Sequence, residues 1–259
     1  MTEQFKEQGG AATMDPSPFR RWMTSLIVAR ACSAERIRKQ RKKHEQERLK
    51  AGAGHVVEYF HQIEDGYSHL TAQVLQRLCQ RYDIALVCHL VHGPQGKNAA
   101  EPELLLRLSR YDAFHVAPEY GLQFPEHTAA LDPALVRLAT RVLAAQDNDS
   151  FIECAAHVGD ALWTGDVQRL QSLAEGLGIA TDRETTARLD AGTARRSELK
   201  HYSGAMFYYG GEWYWGVDRL YHLEKRLAEL GLDREPEEEL LVPRPPVETG
   251  PLKDDGSLT

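Results

Sequence analysis

The sequence predicts an α/β domain in which a β-α-β unit and a β-β-α unit flank a wholly helical insertion, with one extra helix in front. Two β-rich apolar runs, residues 55–60 and 83–91, enclose a stretch of helical period. Residues 102–202 then carry helix caps and little strand signal, and two aromatic runs meet at Gly210-Gly211 before a last apolar stripe. Strands at both ends with helices between them call for one sheet covered by helices.

The extra helix is read over residues 18–50, where Phe19, Trp22, Met23, Leu26, Ile27 and Ile37 recur three to four apart before a run of charge. Its first half should dock on something apolar. Its second half, with six basic residues among 36–43, reads as a solvated face, the alternative being a site for an anionic partner. Ala51-Gly-Ala-Gly54 is a hinge-like linker. Residues 55–60 are β-branched and aromatic, a strand. A turn at 64–67 leads into 68–82, where Leu70, Val74, Leu78 and Tyr82 repeat every four residues as one amphipathic helix. Residues 83–91 are apolar with little alternation, as in a strand covered on both faces, and the crossover between the two strands should be right-handed.

Within the insertion, Asp132-Pro133 opens a helix to Gln146, two more follow over 151–162 and 166–177, and Thr181-Asp-Arg-Glu184 is a capping box. Gly210-Gly211 joins strands 205–209 and 212–215 as a two-residue hairpin turn. The final helix starts at 216, with Leu220, Leu223, Leu227 and Leu230 as its stripe and Asp218 placed to cap it. This order is the thioredoxin-like layout with an all-helical insert.

The chain has 259 residues, 42% hydrophobic and 27% charged, enough to bury a core without staples. Its net charge is -7, but residues 1–54 hold twelve Lys and Arg against six Asp and Glu, and residues 232–259 hold three against eight. Three zones are therefore expected: a disordered start, basic helix and linker over 1–54, the thioredoxin-like domain over 55–231, and an acidic, proline-containing flexible tail over 232–259. The acidic balance argues against nucleic acid as partner. No apolar run approaches the ~20 residues of a membrane span, and the first twenty residues lack the apolar core of a secretory signal, so a cytoplasmic protein is expected. The four cysteines, Cys32, Cys79, Cys88 and Cys154, form no C-x-x-C pair, which excludes a dithiol oxidoreductase and a cysteine-rich zinc site. His89 and His92, three apart on a strand, face opposite ways, so no metal site is expected.

Two segments carry a resemblance. Val57-Glu-Tyr-Phe-His-Gln-Ile-Glu-Asp-Gly-Tyr-Ser-His-Leu70 is similar to the opening of DsbA-like proteins of the 2-hydroxychromene-2-carboxylate isomerase and kappa-class glutathione transferase branch, whose turn reads S-P-Y-S. Gly211-Glu-Trp-Tyr-Trp-Gly-Val-Asp-Arg-Leu220 resembles that branch's G-E-x-x-W-G-x-D-R-L segment, and Ala161-Leu-Trp-Thr-Gly-Asp166 and Tyr120-Gly-Leu-Gln-Phe124 resemble weaker signatures of its insert. The resemblance spans residues 55–231. By position, the branch's catalytic serine falls on Asp65, its proline on Gly66, and its second serine on Ser68. The usual cis-proline falls on Ala205, before which a trans peptide is the default.

The resemblance implies glutathione as cofactor, a small aromatic or thiol-conjugated substrate, and a homodimer. Catalytic candidates are then Asp65, as a helix cap or a general base, and Ser68, with His201 and Tyr202 on the loop facing the turn. Cofactor contacts fall on Asn98, Ala205, Met206 and Asp218, the last at the position whose acid holds the γ-glutamyl end of glutathione in the kappa class. Two function classes stand: a glutathione-dependent isomerase or transferase, and a catalytically degenerate fold kept as a binding or scaffold module. Asp65 and Ala205 favour the second, and the retained Trp-Gly-x-Asp-Arg motif favours the first.

Overall fold

Strand β1 (Val56–His61) pairs in parallel with β2 (Ala85–Leu90), Val56 lying opposite Ala85 and His61 opposite Leu90. The computed structural model describes residues 17–31, 33–94, 101–126, 130–235 and 239–243. On the other edge of β1, β3 (Met206–Tyr209) runs antiparallel with Tyr59 opposite Phe207, and β4 (Glu212–Trp215) pairs antiparallel with β3. The sheet order is β2-β1-β3-β4, so the hairpin and the first strand share one sheet, as the sequence predicts. Gly210 and Gly211 both have positive φ, 56° and 86°, the backbone that a tight hairpin of matching twist requires.

Alternation along β1 sends Val57 and Tyr59 into the main core and Phe60 to the opposite face, where it meets Val91 and Met206. Helices α3 (Gly66–Ala72), α4 (Leu75–Arg81) and α10 (Leu220–Ala228) supply Leu70, Leu75, Leu78, Leu220, Leu223 and Leu227 to the main core. Each such buried side chain contributes roughly 1.5–3 kcal/mol. The insertion is α5 (Pro102–Val116), α6 (Pro133–Ala145), α7 (Asn148–Trp163), α8 (Val167–Leu177) and α9 (Asp182–Glu198), with Asp132 and Thr181 capping their helices and the full capping box at Thr181 and Glu184. Helix α9 approaches β2 so closely that a Cβ on Gly192 would lie 2.0 Å from the Leu90 carbonyl oxygen.

Four expectations need correction. The N-terminal helix is two, α1 (Pro18–Ala31) and α2 (Ala34–Ala51), because Ser33 leaves helical geometry and accepts from the Arg36 N–H as a fresh N-cap. The apolar half does not dock: the α1 face of Phe19, Trp22, Leu26 and Ile27 is exposed. The basic half does, through Arg41, His44, Glu45 and Arg48, with Arg41 gripping the Glu212 carboxylate bidentately at 2.6 and 2.7 Å. Residues 68–82 likewise form two helices, since the Gln73 side chain leaves the helix to bond both backbone groups of Gln123 and Val74 closes on Thr71. Lastly, of the segment expected as a free tail, the described residues 239–243 lie against the body. Leu241 and Val242 are buried, the Leu241 N–H donates to the buried Glu224 carboxylate at 3.0 Å, and Arg81 donates to the Glu239 carbonyl.

One charged knot ties the insertion to the sheet. Glu58 on β1 accepts two hydrogen bonds from Arg195 on α9 (2.8 and 2.7 Å) and pairs with His89 on β2 at 3.0 Å. Burial raises its pKa, but the bonds from Arg195 and His89 outweigh this and hold it down to about 2. A depressed carboxylate stabilises the fold above the unfolded value of about 4.3 and loses that contribution as pH falls through about 2. With Arg195 partly exposed, we expect Glu58→Gln to cost about 2 kcal/mol in urea titrations near neutral pH, the deficit shrinking in strong acid. Gly192→Ala, which presses a methyl onto the Leu90 carbonyl, should cost roughly 3 kcal/mol in the same measurement.

Candidate functional site

The chain leaves β1 at His61 and turns through residues 62–65 into the N-terminus of α3, so Asp65 stands at the N-cap. Its Oδ2 accepts from the Ser68 N–H (2.9 Å) and the Ser68 hydroxyl (3.0 Å), and its Oδ1 accepts from the Ser109 hydroxyl of α5 (2.7 Å). Ser68 is wholly buried. Its Oγ also accepts from the Gln62 N–H and the Ala205 N–H, both at 3.1 Å, so its one proton and both lone pairs are committed inside the protein. Burial pushes the Asp65 pKa up, while the bonds from Ser109, Ser68 and the Tyr67 backbone pull it back.

Helix α5 closes over this turn. The Gly66 N–H donates to Ser109 Oγ at 3.2 Å, and a Cβ on Gly66 would sit 2.8 Å from the Ala113 Cβ. A proline at this position has no N–H for Ser109 and no room for its ring. Asp65, Gly66, Ser109 and Ala113 are thus one packing unit.

Ala205 is buried at φ 50°, a left-handed conformation that costs a non-glycine residue on the order of 1 kcal/mol. Two bonds hold it there, its N–H to Ser68 Oγ and its carbonyl to the Gly216 N–H at 2.6 Å. No cis peptide occurs among the described residues, in keeping with the trans default at Ala205.

The other sequence candidates do not converge on the turn. Met206 is buried with Phe60 and Val91. His201 stacks on Tyr202 and against Trp213 and accepts from the Ser203 N–H, while Tyr202 is exposed. Neither is among the hydrogen-bond partners of Asp65 or Ser68. Asp218 is no helix cap: it lies inside a 3-10 turn, Val217–Arg219, and accepts from the Tyr120 hydroxyl at 2.8 Å. Nearby, the Tyr67 hydroxyl donates to Asp112 at 2.5 Å. Asn98 lies outside the described residues. His89 turns to Glu58 and His92 to Asp190, and no group of three or more His, Cys, Asp or Glu among the described residues is arranged to hold a metal.

A solved 2-hydroxychromene-2-carboxylate isomerase matches the chain at TM-score 0.50, with 20% identity over 68% of this chain and 96% of that one. The chain has a DsbA-like thioredoxin fold. The cytosolic disulfide reductase DsbM of Pseudomonas aeruginosa superposes at TM-score 0.45, with 15% identity over 67% of this chain and 99% of that one. No protein-family model matches the sequence, and no curated protein matches it significantly.

Sequence reasoning missed Ser109, which nothing in a helical run marks as the partner of a turn residue 44 positions away. It also missed two buried histidines. The Tyr59 hydroxyl donates to the Ser68 carbonyl and accepts from His61 Nδ1–H, each at 3.0 Å. His69 packs on Phe124 and against Gly159 of α7, where a Cβ would come 2.4 Å from its Nδ1. A histidine one residue after the strand's apolar run was the available clue.

Burial lowers the pKa of His61 to about 3, assisted by the charge of His69, and lowers that of His69 to about 4. Both values lie below the unfolded value of about 6.5, so their contribution is complete above that pH and lost as pH falls toward 4 and then 3. Urea midpoints should therefore fall between about pH 6.5 and about pH 4, and His61→Gln should flatten that decline. Gly66→Pro should cost roughly 2–4 kcal/mol in the same titration, through the lost Ser109 bond and the clash with Ala113.

Proposed function

We propose that this protein is a thioredoxin-fold binding or scaffold module whose turn carries no thiol chemistry. One observation carries the reading: Ser68 Oγ, the atom at the second serine position of the related turn, is buried and fully committed to Asp65, Gln62 and Ala205. A nucleophile or a thiolate-binding group needs a lone pair or a proton facing substrate. The described cysteines point the same way, since burial raises Cys79 and Cys154 to about 11 and Cys88 higher still, far from the thiolate that exchange requires.

Glutathione is the cofactor the sequence resemblance implies, and the turn does not fit its thiol end. The donors that would steady a thiolate at the start of α3 are occupied, the Ser68 N–H by Asp65 and the Gly66 N–H by Ser109. An ionised Asp65 adds like charge beside them. The reading as a glutathione-dependent isomerase or transferase acting on a small aromatic or thiol-conjugated substrate rests on Asp218. Its Oδ1 accepts from Tyr120 while Oδ2 has no hydrogen-bond partner among the described residues, which suits the ammonium of a γ-glutamyl group.

A thermal-shift titration with glutathione separates the two. We expect no rise in melting temperature for the wild type or for Asp65→Ser, since only a ligand of the folded state raises it. A rise that disappears in Asp218→Asn would establish the glutathione reading instead. Insulin reduction should show no turnover above the uncatalysed rate. Turnover abolished by Cys79→Ser or Cys88→Ser would overturn the absence of thiol chemistry.

A further inference from the structure

Helix α1 has one apolar side that stays exposed among the described residues. At 100° per residue, Phe19, Trp22, Met23, Leu26 and Ile27 fall on one side of the helix, with Arg30 at its C-terminal end, and Arg21, Thr24, Ser25 and Val28 fall on the other. The first five are 63%, 61%, 42%, 56% and 61% exposed. Contiguous exposed apolar surface of this kind marks a docking face.

Charge identifies what that face meets. Residues 18–51 hold eleven Lys and Arg against three Asp and Glu in a chain whose net charge is -7, so the cations are concentrated in the arm and the rest of the chain is strongly acidic. The α2 pairs Lys39 with Glu35 and Lys43 with Glu47 are exposed and worth little. Between α2 and α10 runs a groove of about 430 Å³. Its two carboxylates are taken, Glu45 by Arg48 and Glu229 by Arg41, which also grips Glu212, while Arg38, Lys42 and Arg226 have no ion pair among the described residues.

We propose that the α1–α2 arm docks the protein on an anionic membrane surface, the apolar side of α1 lying in the headgroup region and Arg38, Lys42 and Arg226 answering lipid phosphate. Aromatic and aliphatic residues on one side of a helix, with arginines at its rim and ends, are the composition of an interfacial helix. Arg20 at the rim and Arg30 at the C-terminal end can extend their stems along the apolar side and keep their charges at the phosphates. The acidic remainder of the chain is repelled by the same surface, which sets the orientation. At 14 residues α1 lies on a bilayer without crossing it, and among the described residues no helix is long and apolar enough to span one.

The test is flotation of the full chain with vesicles of equal parts phosphatidylcholine and phosphatidylserine, against vesicles of phosphatidylcholine alone. We expect binding to the mixed vesicles that weakens roughly tenfold or more on the neutral ones and falls with added salt. Leu26→Glu with Ile27→Glu, and separately Arg38→Glu with Lys42→Glu, should each lower binding by a similar factor. All four positions are exposed, so circular dichroism and melting temperature should not move. Absence of binding to mixed vesicles, or binding that both double variants retain, overturns the proposal. So does a concentration-dependent dimer abolished by Leu26→Glu with Ile27→Glu in a chain that ignores vesicles, which would give the face to a second copy. A salt-sensitive shift of duplex DNA without vesicle binding would likewise refute it, assigning the cations to nucleic acid.

Discussion

Ser68 Oγ sits where four stretches of chain meet: the end of β1 through the Gln62 N–H, the start of α3 through Asp65, the loop into β3 through the Ala205 N–H and, one bond further, α5 through Ser109. In a low-dielectric interior each of these bonds is strengthened, and each would leave a costly orphan if broken. The knot aligns the two ends of the domain, because the β-α-β unit and the β-β-α unit are far apart in sequence and meet on β1 and β3. It also explains how Ala205 tolerates a positive φ, with its N–H and carbonyl both held.

The same constraint commits the donors at the start of α3 inside the protein. A carboxylate at the N-cap attracts the N–H groups and hydroxyls that would otherwise face a ligand, and the neighbouring glycine admits α5 to contact. Asp65 and Gly66 therefore act together, one satisfying the donors and the other removing the bulk that would hold α5 away. What stays partly open is the rim, where Tyr67 with Asp112 and Tyr120 with Asp218 present oxygen-rich pairs.

Charge is divided on a larger scale. The basic arm is anchored by few but well-made contacts, chiefly the bidentate bond of Arg41 to Glu212, while Arg38 and Lys42 are exposed. At the far end the segment around Leu241 returns to the body through the buried Glu224. An arm fastened by its polar half and bare on its apolar half inverts the usual arrangement, in which apolar surface is the part that packs.

Local chemistry determined the elements. The β-branched run of β1, the caps at Asp132 and Thr181, the glycine pair of the hairpin and Leu220, Leu223 and Leu227 of α10 act within a few residues and appear as read, whereas β2, read as covered on both faces, is exposed at Ala85 and Val87, and Leu230 lies past the end of α10. The order of those elements allowed one sheet with few topologies, so the fold and the cap role of Asp65 were legible from the sequence. Only the tertiary structure decided the rest. That Ser109 completes the turn, that Asp218 serves Tyr120 instead of its helix, that His61 and His69 lie buried, and that Ser33 and Gln73 end helices which periodicity would continue all depend on contacts across the fold. Periodicity reports which side of an element is apolar but not what the fold brings against it, and a polar side chain takes its role from the partner that arrives.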